Sequence, residues 1–253
     1  SAAILKNYRT LLSNDAPVSQ QLTHNASIDF RFKNSLKMHF LNLSTSYRYV
    51  YFNTISSYLL TESLLTKITL PIGNHRTGWN FSASGSKYVF PLKSTITAGA
   101  NLNIDNFQQY QNGKFEPFQT LVTSYHAGIG YRLSSFLSGT YHGSYAIAKN
   151  IDRSIQLNQR SSLTASSLKN LFLTISADYQ LMHQGTQPNL SYLFSDLELR
   201  YRLVKLKADV QFSVTNLGNI KTFESINFAA NSITVSRHNV PGRVLMIKTR
   251  FNF

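Results

Sequence analysis

Strict alternation of apolar and polar side chains over about ten residues is the feature of this sequence that most constrains its fold. In the last such segment Leu245, Ile247 and Phe251 alternate with polar or charged residues that include Lys248 and Arg250. Three earlier segments share this period of two: 171–180, 193–203 and 206–215. Successive side chains of a strand point to opposite faces of a sheet. The period therefore predicts β-strands with one apolar face and one polar face.

Connections between these segments alternate between short and long. Eleven strands are predicted: 24–33, 36–52, 76–90, 94–107, 115–133, 136–149, 154–167, 171–184, 189–203, 206–216 and 242–253. Turns of two or three residues alternate with longer polar loops, of which 53–75 and 216–241 are the longest. Short turns at one end and long loops at the other are typical of the antiparallel meander of an outer-membrane β-barrel. A soluble β-sandwich also alternates, but its strands usually have about five or six residues.

Composition favours the membrane barrel over the sandwich. Charged residues make up 14% of the chain and hydrophobic residues 42%, whereas an ordinary soluble domain has about 25% charged residues. No run approaches the roughly 18 apolar residues of a transmembrane helix. The chain has no cysteine, which excludes disulfides and Cys-ligated metals. Aromatic residues near strand ends suggest an interfacial girdle: Tyr47, Trp79, Tyr88, Tyr125, Tyr131, Tyr179 and Tyr201.

The net charge of 25 − 11 = +14 admits three interpretations. Nucleic-acid binding is not predicted, because the basic residues are scattered singly and form no patch. A second interpretation is a barrel lumen suited to anionic solutes, and the third is contact with anionic lipid or with acidic residues elsewhere in the barrel. The third is the simplest and is preferred. The candidate lumen-facing residues are Lys248, Arg250, Arg200, Arg202, Glu198, Asp209, Lys207 and Arg132.

Catalytic chemistry is not predicted. The seven histidines show no metal-ligand spacing. Ser144 with His142, and Ser124 with His126, share strand faces, but serine is so abundant that these pairs carry little weight. We expect no catalytic, cofactor-binding or metal-binding residues, and a protein that is not an enzyme.

The last sixty residues resemble one barrel family. Val214-Thr215-Asn216-Leu217-Gly218-Asn219 is similar to the penultimate strand of TonB-dependent receptors, and Val240-Pro241-Gly242-Arg243 is similar to the segment that leads into their last strand. Gly85 to Lys93 resembles a turn of the Bacteroidetes branch, which includes SusC-like importers and barrels with a carboxypeptidase-regulatory-like module. Four residues resemble the C-terminal signature for barrel assembly: Phe253, Phe251, Ile247 and Leu245.

This resemblance implies a 22-stranded barrel in the bacterial outer membrane with a plug domain and an energised import function. Residues 24–253 are then the C-terminal half of that barrel, and residues 1–23 an extracellular loop or partial strand; neither a plug nor a TonB box is recognisable. The implied partners are outer-membrane lipid and lipopolysaccharide, the remaining half with its plug, TonB and a surface lipoprotein. Two alternatives remain open: a scaffolding barrel within a multiprotein assembly or secretion complex, and a stand-alone small pore.

Overall fold

A computed structural model describes residues 3–7, 10–13, 18–60, 65–111, 114–149, 153–167, 170–185, 187–229 and 232–251. Within these residues the chain is almost entirely β-strand, and a short 3-10 helix, Phe90–Leu92, follows the seventh strand. No helix in the described ranges is long and apolar enough to cross a membrane. The protein is all-β, as predicted.

Seventeen strands are present in the described residues. They are β1 Ala3–Asn7, β2 Thr10–Ser13, β3 Gln21–Asn34, β4 His39–Phe52, β5 Ile55–Leu60, β6 Leu65–Leu70, β7 Asn74–Val89, β8 Ser94–Gln111, β9 Lys114–Arg132, β10 Leu137–Lys149, β11 Arg153–Ser167, β12 Leu171–Gln184, β13 Leu190–Leu203, β14 Ala208–Thr215, β15 Thr222–Ala229, β16 Ser232–Asn239 and β17 Val244–Phe251.

The predicted meander of eleven strands is confirmed. Strands β3, β4, β7 to β14 and β17 are hydrogen-bonded neighbours in that order, and the sheet they form is an antiparallel meander. It is not closed: in the described residues β3 pairs with β4 alone, and β17 pairs with β14 alone. The sequence therefore predicted the strands and their order.

The chain forms two compact units. The first comprises 1–30, 43–82 and 102–122. It contains the whole of β1, β2, β5 and β6 and one end of each of β3, β4, β7, β8 and β9. There β1 and β2 form a hairpin, β5 and β6 form a second, and β2 runs parallel to β6. A single parallel bridge, Ser57 to Tyr110, joins β5 to β8.

These two hairpins correct the prediction that residues 1–23 and 53–75 are loops, with at most a partial strand in the first. The alternating runs were too short to be recognised as strands by period alone. Each short strand nevertheless gains a partner for its backbone N–H and C=O groups, and unpaired backbone groups away from water are costly. The first strand of the meander also begins three residues earlier than predicted, at Gln21 instead of residue 24.

The second unit comprises 31–42, 83–101 and 123–253 and holds β10 to β17. Its antiparallel register is unbroken: β11 pairs with β12 from Ser154 opposite Gln184 to Ser167 opposite Leu171. Strands β15 and β16 form a separate two-stranded sheet inside the segment predicted as the loop 216–241. Residues 222–229 and 232–239 of this connection are therefore paired strands, and the prediction of a loop was wrong there.

Three tight turns end on a non-glycine residue with positive φ: Met38 at 49°, Lys93 at 46° and Lys207 at 46°. The prediction placed Lys207 on the polar face of a strand beginning at 206, and this was wrong. Lys207 lies in the turn 204–207, where its N–H donates to the carbonyl of Val204 at 3.2 Å. The left-handed conformation closes the turn, and β14 begins only at Ala208.

Cross-strand register sorts the side chains of the second unit into two faces. Directly opposed residues share a face, so one apolar row crosses five strands: Leu163, Ile175, Leu197, Val214 and Leu245. A second row follows it: Ala165, Leu173, Leu199, Phe212 and Ile247. Among the residues whose burial the structure describes, the buried apolar side chains are few: Val50, Ile55, Ala208 and Val214. Apart from the buried Ala208 and Val214 on β14, the apolar face of this unit is thus organised but largely uncovered.

Aromatic side chains cluster on the apolar face of the first unit. The Trp79 ring lies 4.7 Å from the Tyr47 ring and 5.8 Å from the Phe81 ring, centroid to centroid. Tyr88 was predicted to belong to the interfacial girdle, and this was wrong. It lies an even number of residues from Arg76 along β7, so its side chain belongs to the polar face of that strand. Its ring packs edge-on against Phe90 at 5.0 Å.

Gly99 makes room for an imidazole on the polar face. A Cβ atom at this position would overlap Cε1 of His126 and would lie 2.9 Å from the backbone oxygen of Ala83. The ring of His126 therefore occupies the space that any larger residue at 99 needs. Gly130 offers a comparison, since a Cβ atom there meets nothing within 4 Å.

We expect Gly99→Ala to destabilise the sheet by about 1–3 kcal/mol, the usual cost of overpacking. Gly130→Ala should leave stability within about 0.5 kcal/mol of the wild type, as an uncrowded site does. Urea unfolding in detergent or lipid measures both. Equal midpoints for the two variants would show that His126 is not packed over Gly99.

Candidate functional site

The polar face of β12, β13, β14 and β17 carries most of the predicted lumen-facing residues. Six of the eight share this face by register: Lys248, Arg250, Arg200, Arg202, Glu198 and Asp209. Arg200 lies opposite Gln211, which in turn lies opposite Lys248. The sequence alternation thus placed these six side chains together correctly.

The other two residues lie elsewhere. Lys207 is in the turn described above and belongs to neither face. Arg132 is at the end of β9 and has the strand parity of His126. The ring of His126 lies 6.5 Å from that of His142, and His142 is opposite Arg160 on the polar face. Arg132 therefore belongs to the polar face, but on a strand distant in sheet order from β13 and β17.

The residues of the C-terminal signature lie on the opposite, apolar face. Leu245 is opposite Val214 and Ile247 is opposite Phe212. Phe251 is opposite Ala208. Phe253 lies outside the described residues.

Ion pairs on the polar face of the second unit join neighbouring strands. The guanidinium of Arg160 donates to the carboxylate of Asp178 at 2.6 Å, and that of Arg202 donates to Asp209 at 3.3 Å. Both arginines are more than half exposed, so each pair contributes little to stability, about 0–1 kcal/mol. These contacts fix which way the cations point.

Arg200 is held differently. Its guanidinium carbon lies 4.6 Å from the centroid of the Phe172 ring, which is directly opposite it on β12. Stacking of this kind is attractive and leaves the in-plane N–H groups free for other partners. The Nε atom of Arg200 is buried and has no hydrogen-bond partner in the described part of the chain.

A second charged cluster occupies the polar face of the first unit. Asp105 lies between two arginines: Arg76 contacts its carboxylate at 3.2 Å and Arg48 at 3.7 Å. Arg76 also lies 5.8 Å from the centroid of Phe107. Sequence reasoning missed this cluster, although strand parity alone places each of the three charged residues on the polar face. Their convergence depends on the registers of β4, β7 and β8, which sequence does not determine.

Histidines on the polar face pack over glycines. His126 lies over Gly99, and Nδ1 of His142 lies 2.7 Å from where a Cβ atom of Gly128 would be. Across the described residues no three His, Cys, Asp or Glu side chains are arranged to hold a metal ion. Ser124, one of the serines considered above, accepts a hydrogen bond from Asn101 at 3.5 Å.

A polar corner at the end of β14 anchors the β15–β16 hairpin. Asn216 has φ 55° and is 7% exposed. Its Nδ2 donates to the carbonyls of Ile220 at 2.7 Å and Pro241 at 3.0 Å, and its Oδ1 accepts from the N–H of Ile220 at 3.0 Å. The N–H of Asn216 donates to Asp196 at 2.8 Å. One side chain therefore ties together both ends of the connection.

Two further residues close this corner. The Oδ1 of Asn219 accepts from the N–H of Arg243 at 3.0 Å, and the guanidinium of Arg243 donates to the carbonyl of Leu217 at 2.6 Å. Tyr192 supports the hairpin from β13, because its hydroxyl accepts from the N–H of Glu224 at 3.0 Å and its ring lies 4.9 Å from Phe223. Asn216, Asn219 and Arg243 thus build the base of the connection that carries β15 and β16.

Comparison with known proteins adds no assignment: no protein-family model matches the chain, and no curated protein is significantly similar to it.

We expect Asn216→Asp to loosen the hairpin, because it removes both donated hydrogen bonds and places a carboxylate beside Asp196. Unsatisfied buried carbonyls cost about 1–3 kcal/mol each, so cleavage by trypsin after Arg237 should accelerate at least about tenfold. The control is Asn239→Asp, in the same hairpin, where no side-chain hydrogen bond is present within the described residues. Equal cleavage rates in the two variants would contradict the anchoring role of Asn216.

Proposed function

We propose that this chain is part of a transport barrel of the bacterial outer membrane, of the kind formed by TonB-dependent importers. The observation that carries the proposal is the uncovered apolar face. Leu245 and Ile247 are 65% and 72% exposed, and Leu163, Ile175, Leu199 and Phe212 are each more than one-third exposed although they stand in continuous rows. A soluble protein rarely exposes such a contiguous apolar surface.

Lipid is the partner that best fits this face. A soluble β-sandwich buries one face of each sheet against the other sheet, with a core about 10 Å thick. In the described residues that core is missing, because Val50, Ile55, Ala208 and Val214 are the buried apolar side chains. The strands of the meander are also long, up to 19 residues in β9, whereas about 9–11 suffice to cross a bilayer. The excess suits strands that extend beyond the membrane.

The polar face then lines the interior of the barrel. A Lys or Arg on the lipid face near the bilayer centre costs about 2–4 kcal/mol, so the charged rows of β13 and β17 are stable only away from lipid. The candidates for inward-facing residues are therefore the six that share the polar face by register, together with Arg132. Lys207 is not among them, because it lies in a turn.

The open edges of the sheet support the half-barrel interpretation. Unpaired N–H and C=O groups in lipid cost several kcal/mol each, and both β3 and β17 have one unpaired edge in the described residues. In an antiparallel meander of eleven strands the first and last run in the same direction. An odd number of further strands is needed to close it with antiparallel joints, and the eleven remaining strands of a 22-stranded barrel satisfy this condition.

The remaining parts of the proposal follow from the resemblance. The partners are lipid and lipopolysaccharide around the barrel, the other half-barrel with its plug, TonB, and a surface lipoprotein. A scaffolding barrel shares the lipid face and the open edges, so these features do not separate it from an importer. The plug and the TonB box do separate them.

The single tryptophan tests the lipid face without any substitution. Trp79 is 43% exposed on the apolar face, so its fluorescence should be quenched by lipids brominated in their acyl chains and protected from acrylamide in the aqueous phase. The matched control is the double variant Trp79→Phe, Phe172→Trp, which moves the indole to the polar face. Its emission should resist the brominated lipids. Quenching of Trp79 by acrylamide alone would refute the membrane placement.

Cross-linking from the edge strand tests the half-barrel and the importer. A photoreactive residue at Met246 in β17 should cross-link to a strand outside residues 1–253. The same residue at Thr174, in β12 between β11 and β13, should cross-link only within the chain. A plug and a TonB box preceding the captured strands would support import, and the absence of both would support a scaffold. Cross-links from Met246 to β3 alone would favour the stand-alone pore.

A further inference from the structure

Four cations gather on the polar face beside the last strand, and we name Arg200, Arg202, Lys248 and Arg250 the basic cluster. They occupy two adjacent rows: Arg200, Gln211 and Lys248 form one, and Arg202, Asp209 and Arg250 form the other. Asp209 is the single acidic residue of these rows, so their formal charge is +3. Glu198, in the next row, lowers it to +2.

Asp209 neutralises one member of the basic cluster. Its carboxylate, 15% exposed, accepts from Nε of Arg202 at 3.3 Å. Arg200, Lys248 and Arg250 make no ion pair within the described residues. Three cations in two adjacent rows therefore have no carboxylate bound to them within the described residues, and like charges on neighbouring strands repel each other.

Arg200 is already oriented for a ligand. Stacking on Phe172 fixes the plane of its guanidinium, and the fork of N–H groups in that plane matches the oxygens of a phosphate or a carboxylate. Its buried Nε has no partner in the described part of the chain. A buried donor without a partner is unusual in proteins and calls for a ligand or a bound water.

The spacing suits a small anion. Arg200 and Lys248 are separated by one strand, so their backbones lie about 10 Å apart, two strand spacings. Both side chains are long, and Gln211 between them adds an amide donor to the same row. An oxyanion above Gln211 would lie one strand spacing, about 5 Å, from the backbone of Arg200 on one side and of Lys248 on the other.

We propose that the basic cluster binds a small multivalent oxyanion, with phosphoryl or carboxylate oxygens held by Arg200 and Lys248 over Gln211. The inference deepens the proposed function by assigning anionic solutes to the pathway along the polar face. Only the assignment of anionic solutes to a transport pathway rests on the proposed function. Binding of the anion to the basic cluster does not require the apolar face to be in lipid.

The test uses the protein extracted in detergent together with the strands that complete its sheet, and titrates it with pyrophosphate and with citrate by calorimetry. One anion should bind per chain. Arg200→Gln and Lys248→Gln should each weaken binding about tenfold or more, equivalent to about 1.4 kcal/mol. Lys205→Gln is the matched control, since it removes the same charge from the exposed turn between β13 and β14, and it should change affinity less than about twofold.

The Lys248→Gln variant distinguishes loss of the site from misfolding. Lys248 is exposed on the edge strand β17, so its replacement should not disturb the fold, whereas Arg200 is half-buried on β13. Loss of binding in the Lys248 variant with unchanged strand content by circular dichroism would support the site. Equal weakening in all three variants would show a diffuse positive potential and overturn it. Absence of binding in the wild type would overturn it too, as expected if carboxylates of the completing strands fill the cluster. In either case a quenched Trp79 would leave the proposed function intact.

Discussion

Hydrogen bonds between neighbouring strands hold this chain together, because the residues whose burial the structure describes form almost no apolar core. The unbroken registers from β10 to β14 and on to β17 pair the backbone and, by the same step, align side chains into rows. A slip of one residue in any pair moves every side chain of a strand to the other face. The apolar rows and the basic cluster both depend on this register.

The two faces then have opposite requirements. The apolar rows ending at Leu245 and Ile247 are exposed and are stable only against an apolar medium. The polar face satisfies itself locally, through Arg160 with Asp178 and through Asp105 with two arginines. Charges that remain without a partner there, Arg200 above all, mark where an anion gains most from binding. An exposed apolar face and a charged polar face are thus two consequences of one alternating pattern.

The connections show a further division of roles. The tight turns end on left-handed residues such as Lys93 and Lys207, and their side-chain hydrogen bonds are local, such as that from Oγ of Ser94 to the carbonyl of Leu92. The long connection after β14 is instead fixed by Asn216, whose side chain binds both of its ends. The paired strands β15 and β16 follow this anchor.

Sequence alone determined the eleven strands of the meander, their order and the face of nearly every side chain on them. It could do so because the alternation of side chains along one strand does not depend on how that strand pairs with its neighbours. It placed Arg200, Lys248, Leu245 and Ile247 correctly for that reason. It missed the hairpins within 1–23, 53–75 and 216–241, and it misplaced Lys207, because short runs pair only when a neighbouring edge is available. The pairing of β2 with β6, the convergence of Arg48 and Arg76 on Asp105, and the stacking of Arg200 on Phe172 needed the tertiary structure. Each joins residues on different strands, and which residues face each other across strands is set by strand order and register and not by the alternation within either strand.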